Sequence, residues 1–366
     1  MSLHGPMPKS AWIFPALAVF LFAAVTAAGY SFTPSPAGFV FAGVLLLILF
    51  GTVFAAVHHA EVVAERIGEP FGTLLLTLSV TIIEVALIAT IMLGEKAAVT
   101  TLARDTVFAV VMIVCNGLVG ICILAGGLRY REQDIQVSGS SLYLSVLSVL
   151  ATITLIMPNY TLTTPGPVYS TVQLGFVSAV TILLYGVFLY TQTVRHRDYF
   201  VAQAGDTAHD GPQASNRTIV VSAILLLISL LAVVLLAKKF SQVVDAGAAL
   251  IGAPPAFAGI LVALLILMPE GLAAIVAARR NDLQKSINLA LGSSLATIGL
   301  TIPAVAVAAY ELDKQLVLGL SAQDMVLLAL TLLLSLLTLG SGRTNILFGL
   351  VHLVVFAVFV FLVFVP

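Results

Sequence analysis

Residues 71–93 read FGTLLLTLSVTIIEVALIATIML, an apolar run with one acidic residue, Glu84, near its middle. A helix needs about 20 apolar residues to cross the hydrocarbon core of a bilayer. This run is therefore long enough to span a membrane, and it would carry a carboxyl group close to the bilayer centre. Residues 256–278 repeat the arrangement around Glu270.

The whole chain has the composition of a polytopic membrane protein. Of its 366 residues, 60% are hydrophobic and only 9% are charged, whereas soluble domains carry about 25% charged residues. A soluble globule of this size cannot bury so much apolar surface. The net charge of -1 and the lack of a basic, aromatic-rich run exclude nucleic-acid binding.

Eleven apolar stretches predict an all-α membrane protein with eleven transmembrane helices. The predicted spans are Ala11–Tyr30, Gly38–Val57, Phe71–Leu93, Thr106–Leu128, Leu142–Met157, Val172–Thr191, Ile219–Ala237, Ala256–Ala278, Ile287–Ala309, Met325–Leu339 and Ile346–Val365. The first run exceeds the roughly 7 to 15 apolar residues of a signal peptide, so we expect it to be a helix of the mature protein.

One long polar connection divides the chain, with five spans on each side once the first is set apart. Because five is odd, duplicated halves would have opposite orientations in the membrane, as in many secondary transporters. Placing Glu84 on Glu270 also pairs Phe71 with Phe257. The predicted organisation is an extra helix in 1–37, a five-helix repeat in 38–191, a cytoplasmic linker in 192–218 and an inverted second repeat in 219–366.

The distribution of Lys and Arg predicts the orientation. With a cytoplasmic N-terminus, eleven of these residues lie in cytoplasmic segments and five outside. The positive-inside rule therefore predicts a cytoplasmic N-terminus and an external C-terminus. The five external residues are Lys96, Arg104, Lys238, Lys239 and Lys314.

Glu84 and Glu270 are the two acidic residues that lie deep within predicted spans. A carboxyl at that depth costs about 2.5 to 3.5 kcal/mol on insertion scales, so it normally marks an ion or proton pathway. Two at matched positions predict a binding site at the membrane midplane. Pro269 and Gly271 predict a kink or break beside Glu270, which would free backbone carbonyls as ligands.

Other polar side chains at membrane depth are candidate ligands of the same site. They are Ser79, Thr81, Asn116, Ser293, Ser294 and Thr297. For Ser79 and Thr81, the alternative is a hydrogen bond to the preceding turn of their own helix. For the residues of the fourth and ninth spans, the alternative is close helix packing. For His352, in the last span, we expect a packed and hydrogen-bonded side chain.

A group of histidines and glutamates follows the second span: His58, His59, Glu61, Glu65 and Glu69. It is either a cytoplasmic vestibule that attracts cations and responds to pH or a solvated amphipathic corner. The group lacks the His-Glu-x-x-His order of zinc hydrolases, so we do not expect an enzyme. Cys115 and Cys122 are too far apart on one helix for a disulfide and are interpreted as small core residues.

The residues from His58 to Gly72, running into Glu84, resemble the first conserved repeat of the calcium/cation antiporter superfamily, in its proton-exchanger branch. Residues 259–270, followed by 291–294, resemble the second repeat. The chain is most similar to bacterial Cha-type calcium (sodium, potassium)/proton antiporters, which share the Gly-Glu-Pro and Pro-Glu-Gly motifs.

This resemblance implies an antiporter of the bacterial cytoplasmic (inner) membrane in which Glu84 and Glu270 alternately bind cation and proton. It also implies that Asn116, Ser293 and Ser294 lie near them. The general family pattern has Gly-Asn three to four residues before each Glu. Here those places hold Val80-Thr81 and Ile266-Leu267, so side-chain amide ligands are missing.

Buried carboxyls bind protons and cations competitively, and Ca2+ exchanged for two protons leaves their charge unchanged. We therefore expect export of Ca2+, with Na+ or K+ exchange for H+ as the alternative. A passive channel is less favoured, because the polar groups lie at one depth. The helices Gly38–Val57 and Ile219–Ala237 are the expected sliding element. The expected partners are inorganic cations, protons and the lipid bilayer, without a fixed cofactor.

Overall fold

The computed structural model describes residues 7–94, 99–200 and 215–365, and within these ranges eleven helices are long and apolar enough to cross a membrane. They are α1 (Lys9–Ala27), α2 (Pro36–Ile67), α3 (Phe71–Gly94), α4 (Leu102–Tyr130), α5 (Val137–Tyr160), α6 (Thr171–Arg195), α7 (Asn216–Ile251), α8 (Ala256–Arg279), α9 (Leu283–Glu311), α10 (Ala322–Gly340) and α11 (Ile346–Phe364). Each corresponds to one predicted span, which confirms the all-α membrane fold. Much of the predicted linker, residues 201–214, lies outside the described residues.

Two helices extend far beyond their predicted ends. α2 has 32 residues and α7 has 36, so each is roughly 50 Å long and exceeds the hydrocarbon core of about 30 Å. The predictions stopped at Val57 and Ala237 because hydropathy falls there, but helical hydrogen bonding does not require apolar side chains. Lys238 and Lys239, which lie beyond the predicted end of this span, are therefore inside α7.

Both long helices end at a glycine with positive φ, which is 77° at Gly68 and 64° at Gly252. Glycine adopts this conformation without the steric cost that a Cβ would impose. A proline follows within three residues in each case, at Pro70 and Pro254. The glycine and proline together explain why these helices stop where they do.

Four short strands pair in the connections between helices of the described chain. β1 (Val99–Thr100) is parallel to β3 (Gln315–Leu316), and β2 (Glu132–Asp134) is antiparallel to β4 (Arg343–Asn345). Strands of two or three residues are too short for a period-two hydrophobic pattern, which is why sequence analysis did not find them.

The described helices fall into two compact units. The first contains α1, α2, α3 and α7, and the second contains α4 to α6 and α8 to α11. In the first unit, α2 packs against α1, α3 and α7, while α7 also contacts α1 and α3. The helix that carries Glu84, α3, is thus packed against both long helices.

A proline explains how α1 is attached to α2. Pro15 has no backbone N–H, so the carbonyl of Ala11, four residues earlier, loses its helical donor. The Nε2–H of His59, which is fully buried on α2, donates to this carbonyl at 3.0 Å. A hydrogen bond between helices thereby replaces one that the sequence removes from α1.

In the second unit, α4 is almost entirely buried and runs between α8 and α11. A Cβ at Gly259 of α8 would lie 2.8 Å from the backbone of Asp105, and one at Gly349 of α11 would lie 2.9 Å from the carbonyl oxygen of Gly120. Only glycine allows helices to approach this closely. The glycines therefore fix α4 against both neighbours.

Short π-helical segments interrupt several helices. Those in α4 (Ile113–Leu118) and α9 (Thr297–Thr301) lie in the third helix of each predicted five-helix repeat. Such segments insert an extra residue into the turn and are frequent at functional sites. Asn116 and Thr297, both candidate ligands, lie within them.

We expect His59→Leu to lower the free energy of unfolding by about 1 to 3 kcal/mol, because the buried Ala11 carbonyl would lose its donor. The loss should be smaller in a Pro15→Ala background, where residue 15 regains an N–H that donates to Ala11. Denaturant unfolding in detergent measures both effects. His58→Leu, next in the chain, is the matched control. Equal losses in the two backgrounds would contradict this account.

Candidate cation and proton site

Glu84 belongs to the first unit and lies at the fourteenth of the 24 positions of α3. Its side chain is 1% exposed, whereas Leu78 and Ile82 are exposed on another face of the helix. The carboxyl group is thus directed into the protein. Because burying a carboxylate in an apolar region is costly, this placement favours a role in binding.

The hydroxyls predicted beside Glu84 are also buried. Ser79 and Thr81 are 3% and 8% exposed. Ser79 Oγ donates to the carbonyl of Leu75 at 2.8 Å, which is the alternative that the sequence left open. The bond uses the hydroxyl proton, but a lone pair on the oxygen still remains for a cation.

Glu270 lies in the second unit, at the fifteenth of the 24 positions of α8, and is half-buried. At Pro269 and Gly271, where the sequence predicts a kink or a break, α8 does not break but continues as one helix from Ala256 to Arg279. A proline removes a single backbone donor, here the one for the carbonyl of Leu265. Packing against the neighbouring helices preserves the rest of the helix.

The helix α9 follows α8 and packs against it. Ser286 Oγ of α9 donates to the carbonyl of Ala274 of α8 at 2.6 Å. Farther along α9, Ser293 is half-buried, Ser294 is fully buried and Thr297 is 3% exposed. These predicted ligands thus lie on a helix packed directly against the one that carries Glu270.

Ser294 differs from most buried hydroxyls of the second unit. Its Oγ is enclosed and has no hydrogen-bond partner among the described residues. A buried polar group without a partner costs about 1 to 3 kcal/mol, so it calls for a functional explanation. An oxygen held ready for a cation or a proton is one such explanation.

Asn116 is buried in the π-helical segment of α4, but its amide bonds to α10 and α11. Its Nδ2 donates to Thr331 Oγ1 at 2.8 Å, and its Oδ1 lies 3.3 Å from His352 Nδ1. The other ring nitrogen of His352 is 3.0 Å from Thr338 Oγ1. The expectation of a packed, hydrogen-bonded His352 is confirmed, and Asn116 is its partner.

The residues predicted as a vestibule have different surroundings. His59 is buried against α1, whereas His58 and Glu61 are half-buried and Glu65 and Glu69 are exposed. Glu69 accepts a hydrogen bond from Thr73 Oγ1 at 2.7 Å. Over the residues that the structure describes, no three His, Cys, Asp or Glu side chains are grouped to hold a metal ion.

A polar cluster beside α9 was missed by sequence analysis. Gln192 Nε2 donates to the hydroxyl of Tyr143 at 2.7 Å, that hydroxyl donates to the carbonyl of Asn288, and Asn288 Nδ2 donates to the carbonyl of Phe200. The cluster attaches the end of α6 and the short turn Arg197–Phe200 to α9, about one helical turn before Ser293. The only signal was the occurrence of Tyr143 and Asn288 within apolar helices.

The chain is similar to known ion exchangers over most of its length. The profile of the sodium/calcium exchanger protein family matches residues 35–194 and 221–365. A putative ionic transporter of Sinorhizobium fredii, y4hA, is 45% identical over 319 residues, which are 87% of each chain. The sodium-potassium/proton antiporter ChaA of Escherichia coli is 39% identical over 323 residues, again 87% of each chain.

Solved structures show the same fold. The structure of native YfkE aligns with a TM-score of 0.69 and 18% identity, covering 97% of this chain and 100% of that one. The H+/Ca2+ exchanger CAX aligns with a TM-score of 0.67 and 15% identity, covering 96% and 88%. The chain therefore has a cation exchanger fold.

Replacing Ser294 tests whether its unpartnered hydroxyl serves the transported ion. Ser294→Ala should leave the free energy of unfolding unchanged or slightly higher, because no hydrogen bond is lost, while apparent cation affinity falls. Ser286→Ala, which does lose a hydrogen bond, should instead cost about 1 kcal/mol of stability. Unfolding and transport assays on both variants separate the two roles. Unchanged cation affinity in Ser294→Ala would rule out the ligand role.

Proposed function

The chain belongs to the sodium/calcium exchanger protein family, and on that premise we propose that it is a secondary active antiporter that exchanges cations for protons. The observation that carries this proposal is the placement of Glu84 and Glu270. Each lies near the middle of a 24-residue membrane helix, α3 or α8, and each helix holds the equivalent place in its half of the chain.

Two such carboxyl groups couple cations to protons through competition. Burial in a medium of low dielectric constant favours the neutral, protonated carboxyl, whereas a bound cation favours the ionised form. A cation that binds therefore displaces protons, and protons displace the cation. Exchange follows if the occupied groups face one side of the membrane at a time.

Charge balance supports Ca2+ as the exported ion. Two carboxylates neutralise one Ca2+ or two protons, so exchange of Ca2+ for 2 H+ leaves their net charge unchanged. Ca2+ usually takes 6 to 8 oxygen ligands. The hydroxyls of Ser79, Thr81, Ser293 and Ser294, backbone carbonyls and water are the further oxygens that we assign to it.

Exchange of Na+ or K+ for H+ is the second candidate, and two observations favour it. The relative that is 39% identical is named a sodium-potassium/proton antiporter. The positions three to four residues before each glutamate, Val80-Thr81 and Ile266-Leu267, have no side-chain amide. Fewer oxygen ligands suit a monovalent ion better than Ca2+.

We assign the two five-helix repeats to 38–191 and 219–366. This is supported by the separate family matches over 35–194 and 221–365 and by the corresponding π-helical segments in α4 and α9. For alternating access, we assign the sliding element to α2 and α7. Since α1 packs on both of these helices, it would move with them.

The central test is transport by the purified protein in liposomes under an imposed pH gradient, with Ca2+, Na+ and K+ supplied separately. Cation flux should follow the proton gradient and fall to background in Glu84→Gln and in Glu270→Gln, because glutamine does not exchange a proton for a cation. Glu311→Gln, an exposed carboxyl at the end of α9, is the matched control. Full exchange in Glu84→Gln or in Glu270→Gln would refute the mechanism. Cation flux that does not depend on the proton gradient would also refute it.

A second test concerns the orientation in the bacterial inner membrane. Alkaline phosphatase, which is active only outside the cytoplasm, should be active when fused to the C-terminus and inactive when inserted within residues 201–214. The excess of Lys and Arg in the segments assigned to the cytoplasm is the reason. Activity at the linker but not at the C-terminus would reverse the topology.

A further inference from the structure

A polar network of four side chains lies inside the second unit. It joins Asn116 of α4, Thr331 and Thr338 of α10, and His352 of α11. All four side chains are completely buried. The network therefore connects three membrane helices by side-chain hydrogen bonds without contact with solvent.

The donors and acceptors of this network can be assigned. The amide nitrogen of Asn116 donates to Thr331 Oγ1, so its oxygen faces His352 Nδ1. A carbonyl oxygen only accepts, hence Nδ1 carries the proton. In the neutral ring Nε2 then accepts from the hydroxyl of Thr338. Both ring nitrogens of His352 are thus occupied.

The network acts on the distorted part of α4. Asn116 lies in the π-helical segment Ile113–Leu118, whose hydrogen-bonding pattern departs from that of the α-helix on either side. On the same segment, Leu118 Cδ1 lies 3.7 Å from the position of a Cβ at Gly271. Gly271 follows Glu270 in the chain. One segment therefore contacts the network through Asn116 and the Glu270 helix through Leu118.

Close helix packing transmits the position of His352 to α4. A Cβ at Gly120 of α4 would lie 3.1 Å from the carbonyl oxygen of Gly349 and 3.2 Å from Cβ of His352. The backbones of α4 and α11 are therefore in close contact beside His352. A displacement of α11 at His352 would therefore be transmitted to α4 next to its π-helical segment.

We propose that His352 is a positioning residue for the Glu270 site, acting through Asn116 and the π-helical segment of α4. The proposal rests on the proposed function, in which Glu270 binds the transported cation. In this role His352 acts through the protein and does not bind the ion itself. It holds the segment against which α8 packs beside Glu270.

The first test compares two replacements of His352 in the proteoliposome assay. His352→Leu should raise the apparent KM for the cation about tenfold, the size expected from losing one buried hydrogen bond, with the maximal rate changed less than about twofold. His352→Gln should recover most of the affinity, because its amide donates to Asn116 and accepts from Thr338. Equal behaviour of the two variants, whether both are impaired or both are normal, would overturn the proposal.

Replacing the two threonines one at a time tests the network without the histidine variants, in case those do not fold. Thr331→Val and Thr338→Val should each raise the apparent KM by about threefold to tenfold. The matched control is Thr154→Val in α5, a buried threonine that bonds only to its own helix, at Leu150. An effect in the control as large as in the network would overturn the proposal.

A spectroscopic readout is independent of transport. Nitrogen-15 NMR of histidine-labelled protein should show a signal, absent in His352→Gln, with Nδ1 protonated and Nε2 unprotonated. Thr331→Val should shift this signal through Asn116, whereas Thr154→Val should not. Protonation at Nε2 instead would overturn the network.

The transport assay separates a failure of this proposal from a failure of the proposed function. If Glu270→Gln keeps full exchange, the proposed function fails. If Glu270→Gln is inactive and His352→Leu is normal, only the positioning role fails.

Discussion

In the hydrocarbon core of a membrane, water is not available to hydrogen-bond a polar group, so the protein itself must supply the partner. The second unit meets this constraint by hydrogen bonds between helices. In the first unit, Pro15 removes the backbone N–H that would donate to the carbonyl of Ala11, and His59 of α2 donates to that carbonyl instead. By the same rule, a buried polar side chain without a hydrogen-bond partner among the residues described, such as Ser294, points to a function. An apolar residue could replace it at little cost in stability.

The existence of the helices was predictable because lipid requires about 20 apolar residues for each span. Their ends were less so. The predictions followed hydropathy and stopped α2 at Val57, yet the helix continues until Gly68 reverses its backbone. α8 likewise continues through Pro269, where the sequence predicts a kink or a break. A proline removes one hydrogen bond, and a helix packed on several sides tolerates the loss.

The depth of Glu84 and Glu270 was equally predictable, since charge inside an apolar run is a strong signal. The surroundings of Asn116 were not. A π-helical segment rotates the residues that follow it relative to an ideal helix, so spacing could not reveal that Asn116 bonds to α10. One signal was present in α10 itself. Thr331, Ser335 and Thr338 recur at helical spacing and are all buried, which marks a polar stripe that needs a partner such as His352.

The corresponding π-helical segments of α4 and α9 differ in how their polar groups are satisfied. In α4, Asn116 is hydrogen-bonded through both the nitrogen and the oxygen of its amide, so the side chain is committed to holding the segment in place. One turn before the segment of α9, the hydroxyl of Ser294 is enclosed without a partner in the described chain. An oxygen already committed to the fold gains little from a cation, whereas an unpartnered oxygen recovers its desolvation cost when a cation binds. Although both are the third helix of a predicted repeat, α4 is therefore suited to support the proposed site, and α9 is suited to supply it with ligands.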